Sequence, residues 1–192
     1  MTLCTASLSM NASTDDFKYT DEKFADIQML RYKVTDFEKL TLRQKILVYY
    51  LSEAALYGRD ILFDQNGAYN LRIRKMLETV YCEYKGNRNT DDFQAMTTYL
   101  KRVWFSNGIH HHYGCEKFVP GFSQEFFRNA LKSVSRKNLP LQSGQTVDKL
   151  CDEIFPIIFD PTIMPMRVNL KAGDDLIKTS AANYYGTDIS QQ

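Results

Sequence analysis

Apolar residues recur at helical spacing along most of this chain. Between 41 and 57, Ile46, Leu47, Tyr50, Leu51, Ala54 and Ala55 fall on one face, Thr41 and Gln44 have the spacing of a capping box, and Gly58 is a natural stop. A second helix is predicted from about Tyr69 to Tyr84, with Ile73, Met76, Leu77, Val80, Tyr81 and Tyr84 inward and Arg72, Arg74 and Lys75 mostly solvated. Gly86-Asn87 ends it. Thr90 then caps a third, with Asp91 and Asp92 at its positive end and Phe93, Met96, Leu100, Val103 and Trp104 as its core face. Asn107-Gly108 closes that helix.

Pro120-Gly121 is a turn, and Ser123 caps a shorter helix that buries Phe126, Phe127, Ala130, Leu131 and Val134. Ser135 to Gly144 reads as a loop. Val147, Leu150, Cys151 and Ile154 mark another amphipathic helix that should halt near Pro156, with Pro161 and Pro165 punctuating the segment beyond. Asp174 to Tyr185 reads as a last helix. Gly186-Thr187-Asp188 resembles a turn and N-cap opening one more, only four residues before Gln192, which suggests a truncated or fragmentary chain. Asp26 to Val34 is the strand candidate, with Ile27, Met29 and Arg31 alternating against their neighbours; a capped helical continuation fits it as well. The expected class is mainly α, an irregular helical array without repeats.

Composition narrows the picture. With 192 residues, 44% hydrophobic and 24% charged, the chain can bury one good core and at most a minor lobe. Its 24 basic and 23 acidic residues are scattered, giving a net charge of +1, so no basic face points to nucleic acid. Cys4, Cys82, Cys115 and Cys151 form no CxxC pair and suit isolated thiols. Residues 1–14 carry no charge and end in a cleavage-like Met10-Asn11-Ala12, but lack a basic n-region. They read either as a signal remnant, which implies the periplasm or cell envelope, or as a polar leader on a cytoplasmic protein. We therefore divide the chain into a leader, 1–23, and a helical segment, 24–192. No apolar run reaches the ~20 residues of a membrane span.

Chemistry concentrates between Tyr99 and Ser123, where the only Trp and all three His meet at a helix exit and loop. Asn107, His110, His111, His112, Tyr113 and Cys115 can all hydrogen-bond a ligand. No His is followed by Glu, so HExxH is absent, as are GxSxG, Walker and GxGxxG elements. In an extended loop His110 and His112 would share a side, with Cys115 as a third donor and no evident fourth; a hydrogen-bonded loop is the competing reading. Asp60 and Asp64 lie one helical turn apart and could pair, although a structural network with Arg59 and Gln65 explains them better. Most of the twelve Tyr and twelve Phe sit at core positions; Tyr113, beside Gly114 in the loop, is the exception.

Five segments carry a resemblance: FADIQMLRY (Phe24 to Tyr32), YYLSEAALYGRDILFDQN (Tyr49 to Asn66), YNLRIRKMLE (Tyr69 to Glu78), DFQAMTTYLKRVWFSNGIHHHYG (Asp92 to Gly114) and KFVPGFS (Lys117 to Ser123). Together they resemble the N-terminal part of the dipeptidyl peptidase III family of zinc metallopeptidases, bacterial branch, and Ile154 to Tyr185 follows less closely. The resemblance implies a two-lobed enzyme that removes dipeptides from the free N-termini of oligopeptides. It places this chain in the lower lobe, the one without zinc. The family's HExxGH zinc motif is absent from this sequence. Zinc is implied for the full-length enzyme, and the missing catalytic portion would be a partner in the same protein. The family's aromatic-Gly pair before KFVP lines a substrate subsite; by position it falls on Tyr113 and Gly114, with His112 and Asn107 beside them. The polar neighbour differs here. The rival readings are a non-catalytic helical module that binds peptides or proteins, and a metal-binding protein using His110, His112 and Cys115.

Overall fold

The structure is a computed structural model that describes residues 16–184, 186 and 188–191. The cleavage-like Met10-Asn11-Ala12, Cys4, Tyr185 and Thr187 lie outside the described residues. The fold is mainly α, and its contacts divide the chain into two units, Met1–Lys45 and Ile46–Gln192.

The first unit holds a hairpin. β1 (Thr20–Phe24) runs antiparallel to β2 (Ile27–Leu30), with Phe24 opposite Ile27 and Lys23 opposite Gln28. β2 realises the strand reading of Asp26 to Val34, though it ends at Leu30. β1 was not foreseen, because TDEKF has no apolar alternation; a left-handed Ala25 (φ 50) closes the turn that pairs it. Beyond a short turn at Phe37–Lys39, Thr41 and Gln44 make the expected capping box: the Thr41 amide donates to Gln44 Oε1 at 2.9 Å and the Gln44 amide to Thr41 Oγ1 at 3.3 Å. This opens α1 (Leu42–Tyr57), inside which the division between the units falls.

The boundaries of α1 match the sequence pattern but its burial does not. None of its sixteen residues is buried, so the stripe from Ile46 to Ala55 that should face a core faces none among the described residues. The reason is visible in the pattern itself: Val48, Tyr49 and Leu56 put apolar groups on the other sides too, and a helix apolar all round is an interior helix of something larger than one layer.

The second unit has the core. α2 (Arg59–Asn66) and α4 (Asp91–Ser106) pack on α3 (Asn70–Glu83), as does α5 (Gln124–Ser133), which also packs on α6 (Val147–Phe159). Ile73, Met76, Leu77 and Val80 of α3 meet Met96, Leu100 and Val103 of α4, Phe127 and Leu131 of α5, and Leu150, Cys151, Ile154 and Ile158 of α6. The caps are as expected: Ser123 Oγ accepts from the Phe126 amide at 3.1 Å and Thr90 Oγ1 from the Phe93 amide at 3.4 Å. At the far end of α4, Asn107 turns left-handed (φ 52) and stops the helix.

Four expectations need correction. Trp104 is 39% exposed rather than core, because its indole N–H reaches Glu78 Oε1 at 2.8 Å on the α3 surface. α6 does not halt at Pro156 but runs through it to Phe159. The proline sacrifices one helical bond, costing about 3 kcal/mol, yet burial of Ile154, Phe155, Ile157 and Ile158 around it, at about 1.5–3 kcal/mol each, outweighs that. The helix predicted over Asp174 to Tyr185 shrinks to α7 (Leu176–Thr179), because the amides of Ala181 and Ala182 bond the carbonyls of Met166 and Arg167 at 3.0 Å instead. The Ile189 amide bonds the Gly186 carbonyl at 3.2 Å, and no helix follows Gly186 among the described residues.

Candidate functional site

The loop after α4 folds into a tight hairpin-like turn. The Phe118 amide donates to the Ile109 carbonyl at 2.9 Å, the His111 amide to Glu116 at 2.7 Å, and the Cys115 amide to His111 at 3.1 Å. Its returning arm pairs onward with Pro165 to Arg167, which in turn pairs with Ala181 and Ala182. Four short, irregular segments thus hold one turn, and none of them has a strand-like sequence.

Inside the turn the three histidines separate by role, and not by the extended-loop alternation. His110 is the inward one: it is 2% exposed, and its Nε2 lies 2.8 Å from the Met164 carbonyl. A carbonyl only accepts, so Nε2 carries the proton and Nδ1 is left as a buried lone pair with no partner among the described residues. Burial, reinforced by the charges of Lys117 and Arg167, holds the His110 pKa below its ordinary 6.5 despite the Met164 bond. His111 turns its Nδ1 toward the amides of Tyr113 (3.2 Å) and Gly114 (3.1 Å) and accepts from both. Its ring lies 4.5 Å from that of His112, so the neighbouring pair is His111 and His112, not His110 and His112. The reason is the turn, which brings consecutive side chains together where an extended strand would set them on opposite faces.

His112 continues an aromatic row, its ring 4.9 Å from Phe105 and 4.7 Å from Tyr113. Tyr113 is 84% exposed. Gly114 is not open: an added Cβ would sit 1.9 Å from Glu116 Oε2, so the carboxylate lies over the backbone where a close approach was expected. Glu116 is a flexible side chain that can swing aside. Asn107 contributes its carbonyl to Asn66 Nδ2 at 3.0 Å. The Cys115 thiol donates weakly to the Tyr113 carbonyl at 3.6 Å.

Four residues of the site were not singled out by sequence reasoning. Arg167 is the hub: its guanidinium donates to the His112 carbonyl at 3.1 Å, to Asn66 Oδ1 at 3.3 Å and to Cys115 Sγ at 3.5 Å. Asn66 and Asn70 are buried on the other side. Asn70 Oδ1 accepts from the Ile109 amide at 3.3 Å, and Asn70 fills the space that a side chain at Gly108 would need, 2.4 Å from its Cβ position. Lys117 sends its ammonium to the carbonyls of Ile157, Asp160 and Ile163, which ties the returning arm to the C-terminal end of α6. Burial lowers its pKa from the ordinary lysine value. The one legible signal was the Asn-Gly pairs at 66–67 and 107–108, which mark turns without revealing that they face each other.

As a metal centre the set does not converge. His110 spends Nε2 on a carbonyl, Cys115 contacts Arg167, and no group of three or more His, Cys, Asp or Glu suited to a metal occurs among the described residues. Asp60 accepts from the Arg74 guanidinium at 2.8 Å, an ion pair with α3 rather than with Arg59 beside it. No described helix is long and apolar enough to cross a membrane. The chain matches no protein-family model and no curated protein.

Proposed function

We propose that this chain forms part of the peptide-binding cleft of a zinc dipeptidyl peptidase of the dipeptidyl peptidase III type, contributing shape and hydrogen bonds while the catalytic zinc is held by a portion bearing HExxGH. In that reading the chain belongs to the lower, non-zinc lobe, and its substrate is an oligopeptide with a free N-terminus. The observation that carries the proposal is the exposed Tyr113 at the head of the row Phe105, His112, Tyr113, on a turn braced by Arg167. An aromatic wall on a rigid turn, with backbone groups beside it, is what holds a peptide in register. The fragment sequence resemblance points the same way. Activating water and polarising a carbonyl would fall to the zinc portion.

The test uses an enzyme in which this chain is joined to an HExxGH-bearing portion. Tyr113→Ala should raise KM for oligopeptides about tenfold or more with a smaller change in kcat, because a wall shared by ground and transition states mainly sets binding. Absence of dipeptide release from such an enzyme overturns the peptidase reading, and an unchanged KM removes Tyr113 from the cleft. A second reading, a non-catalytic helical binding module, is favoured by the exposed apolar surface of α1.

A further inference from the structure

Glu116 is a charged side chain of the turn that no cation answers among the described residues. Lys117, next in the chain, gives its ammonium to the carbonyls of Ile157, Asp160 and Ile163, and Arg167 gives its guanidinium to the His112 carbonyl, Asn66 Oδ1 and Cys115 Sγ. The ring within ion-pair range is His111, whose Nδ1 lies 3.9 Å from Glu116 Oε1. That nitrogen accepts from the amides of Tyr113 and Gly114, so it shows the carboxylate a lone pair and not a proton. An exposed carboxylate is ordinarily left to water. This one is seated: it lies against the Gly114 backbone in the space a side chain there would fill, and residue 114 must be glycine for it to do so. It stays 59% exposed, and Tyr113, next in the chain to Gly114, is 84% exposed.

A carboxylate and a tyrosine ring side by side attract the same ligand. The carboxylate takes a cation by charge and by accepted hydrogen bonds, and the ring face takes one through its quadrupole. A metal ion needs more ligands than one carboxylate gives, and no group of three His, Cys, Asp or Glu suited to it occurs among the described residues. A guanidinium needs both carboxylate oxygens open side by side, and here both lie against the backbone of residue 114. An ammonium is a compact point charge that one oxygen can hold. We propose that Glu116 and Tyr113 form an ammonium-binding site at the head of the turn, and that its occupant is the free α-ammonium of an oligopeptide. The proposal deepens the peptide-cleft reading and rests on it. A peptide that approaches Gly114 meets the carboxylate first, so its charged end is held there, and an unblocked N-terminus becomes a condition of tight binding.

NMR titration of the full 192-residue chain tests it, at about pH 7, where an α-amine carries its proton. The probes are tetraalanine amide, its N-acetylated form, and an N-acetylated form with lysine in the last place. The free peptide should bind about tenfold more tightly than the acetylated one, the combined worth of an exposed ion pair and a cation–π contact. Glu116→Gln keeps the size of the side chain and removes its charge. It should shrink that preference to about threefold or less, with unchanged helical circular dichroism because the side chain is exposed. Equal affinity of the free and acetylated peptides for the wild type, lost in Tyr113→Ala, overturns the ammonium site and leaves the peptide cleft standing. Binding of no peptide overturns both. A tenfold preference that survives Glu116→Gln overturns the site as well, since the amine is then held elsewhere. If the acetylated lysine peptide binds as tightly as the free one, the ammonium site stands and the N-terminus as its particular occupant is overturned.

Discussion

At the residue scale the site turns on where protons sit. Burial of His110, with its Nδ1 enclosed without a partner among the described residues and Lys117 and Arg167 nearby, favours its neutral form and holds its pKa below the ordinary 6.5. A histidine whose folded pKa is depressed contributes stability that is complete above about pH 6.5 and is lost as pH falls below it, because the unfolded chain then binds the proton the native state refuses. The carboxylates held low by their partners, Glu153 by Arg72 and Asp148 by Lys132 and Arg128, lose their contributions only at more acid pH. Thermal unfolding should therefore show a fall in midpoint as pH drops below about 6.5 that His110→Gln reduces, because an amide can still donate to Met164 and does not titrate. The same fall in wild type and variant would show that His110 protonates freely. Of the site residues, sequence reading reached Tyr113 because a tyrosine beside glycine in a polar loop is conspicuous. It could not reach Arg167, whose partners Asn66 and His112 are 101 and 55 residues away.

At the element scale, signals that act over three or four residues were legible. Thr41, Thr90, Ser123 and Asn107 each did at a helix end what their chemistry predicts. What failed were the elements settled by tertiary contacts: β1 needs its partner β2, and the shortened α7 yields to the bonds of Ala181 and Ala182 with Met166 and Arg167. Pro156 shows the same competition inside one helix. Since it is exposed and sits mid-helix, Pro156→Ala should restore a bond to Asp152 and add about 1–2 kcal/mol, after allowing for the freer unfolded chain. Denaturant unfolding measures this; a decrease in stability would mean the helix is bent to fit the proline. His110, by contrast, could not have been placed from its own triplet, because alternation along a strand and rotation around a turn give opposite pairings of the same three rings.

At the scale of the whole molecule, α1 separates pattern from fate. The sequence shows that it is helical and apolar, and none of its sixteen residues is buried among the described residues. With those side chains bare, an environment-sensitive hydrophobic dye should bind the isolated chain and fluoresce. A dye that stays dark would mean that the surface is covered. The second unit behaves differently, because α3 to α6, with Phe63 of α2 and the loop residues Ile109, Phe118 and Phe122, bury a core of their own.

Lys117 binds two pieces of the molecule that would otherwise open on their own schedules. Its backbone belongs to the turn and its ammonium to the carbonyls of Ile157 in the last turn of α6, of its cap Asp160 and of Ile163 just beyond, so neither can fray without releasing the other. The two become one cooperative unit for local opening, with a common amide-exchange free energy. A peptide gripped at Tyr113 would then slow exchange not only in the turn but at the Asp160 amide on Pro156, a part of the protein the ligand never touches.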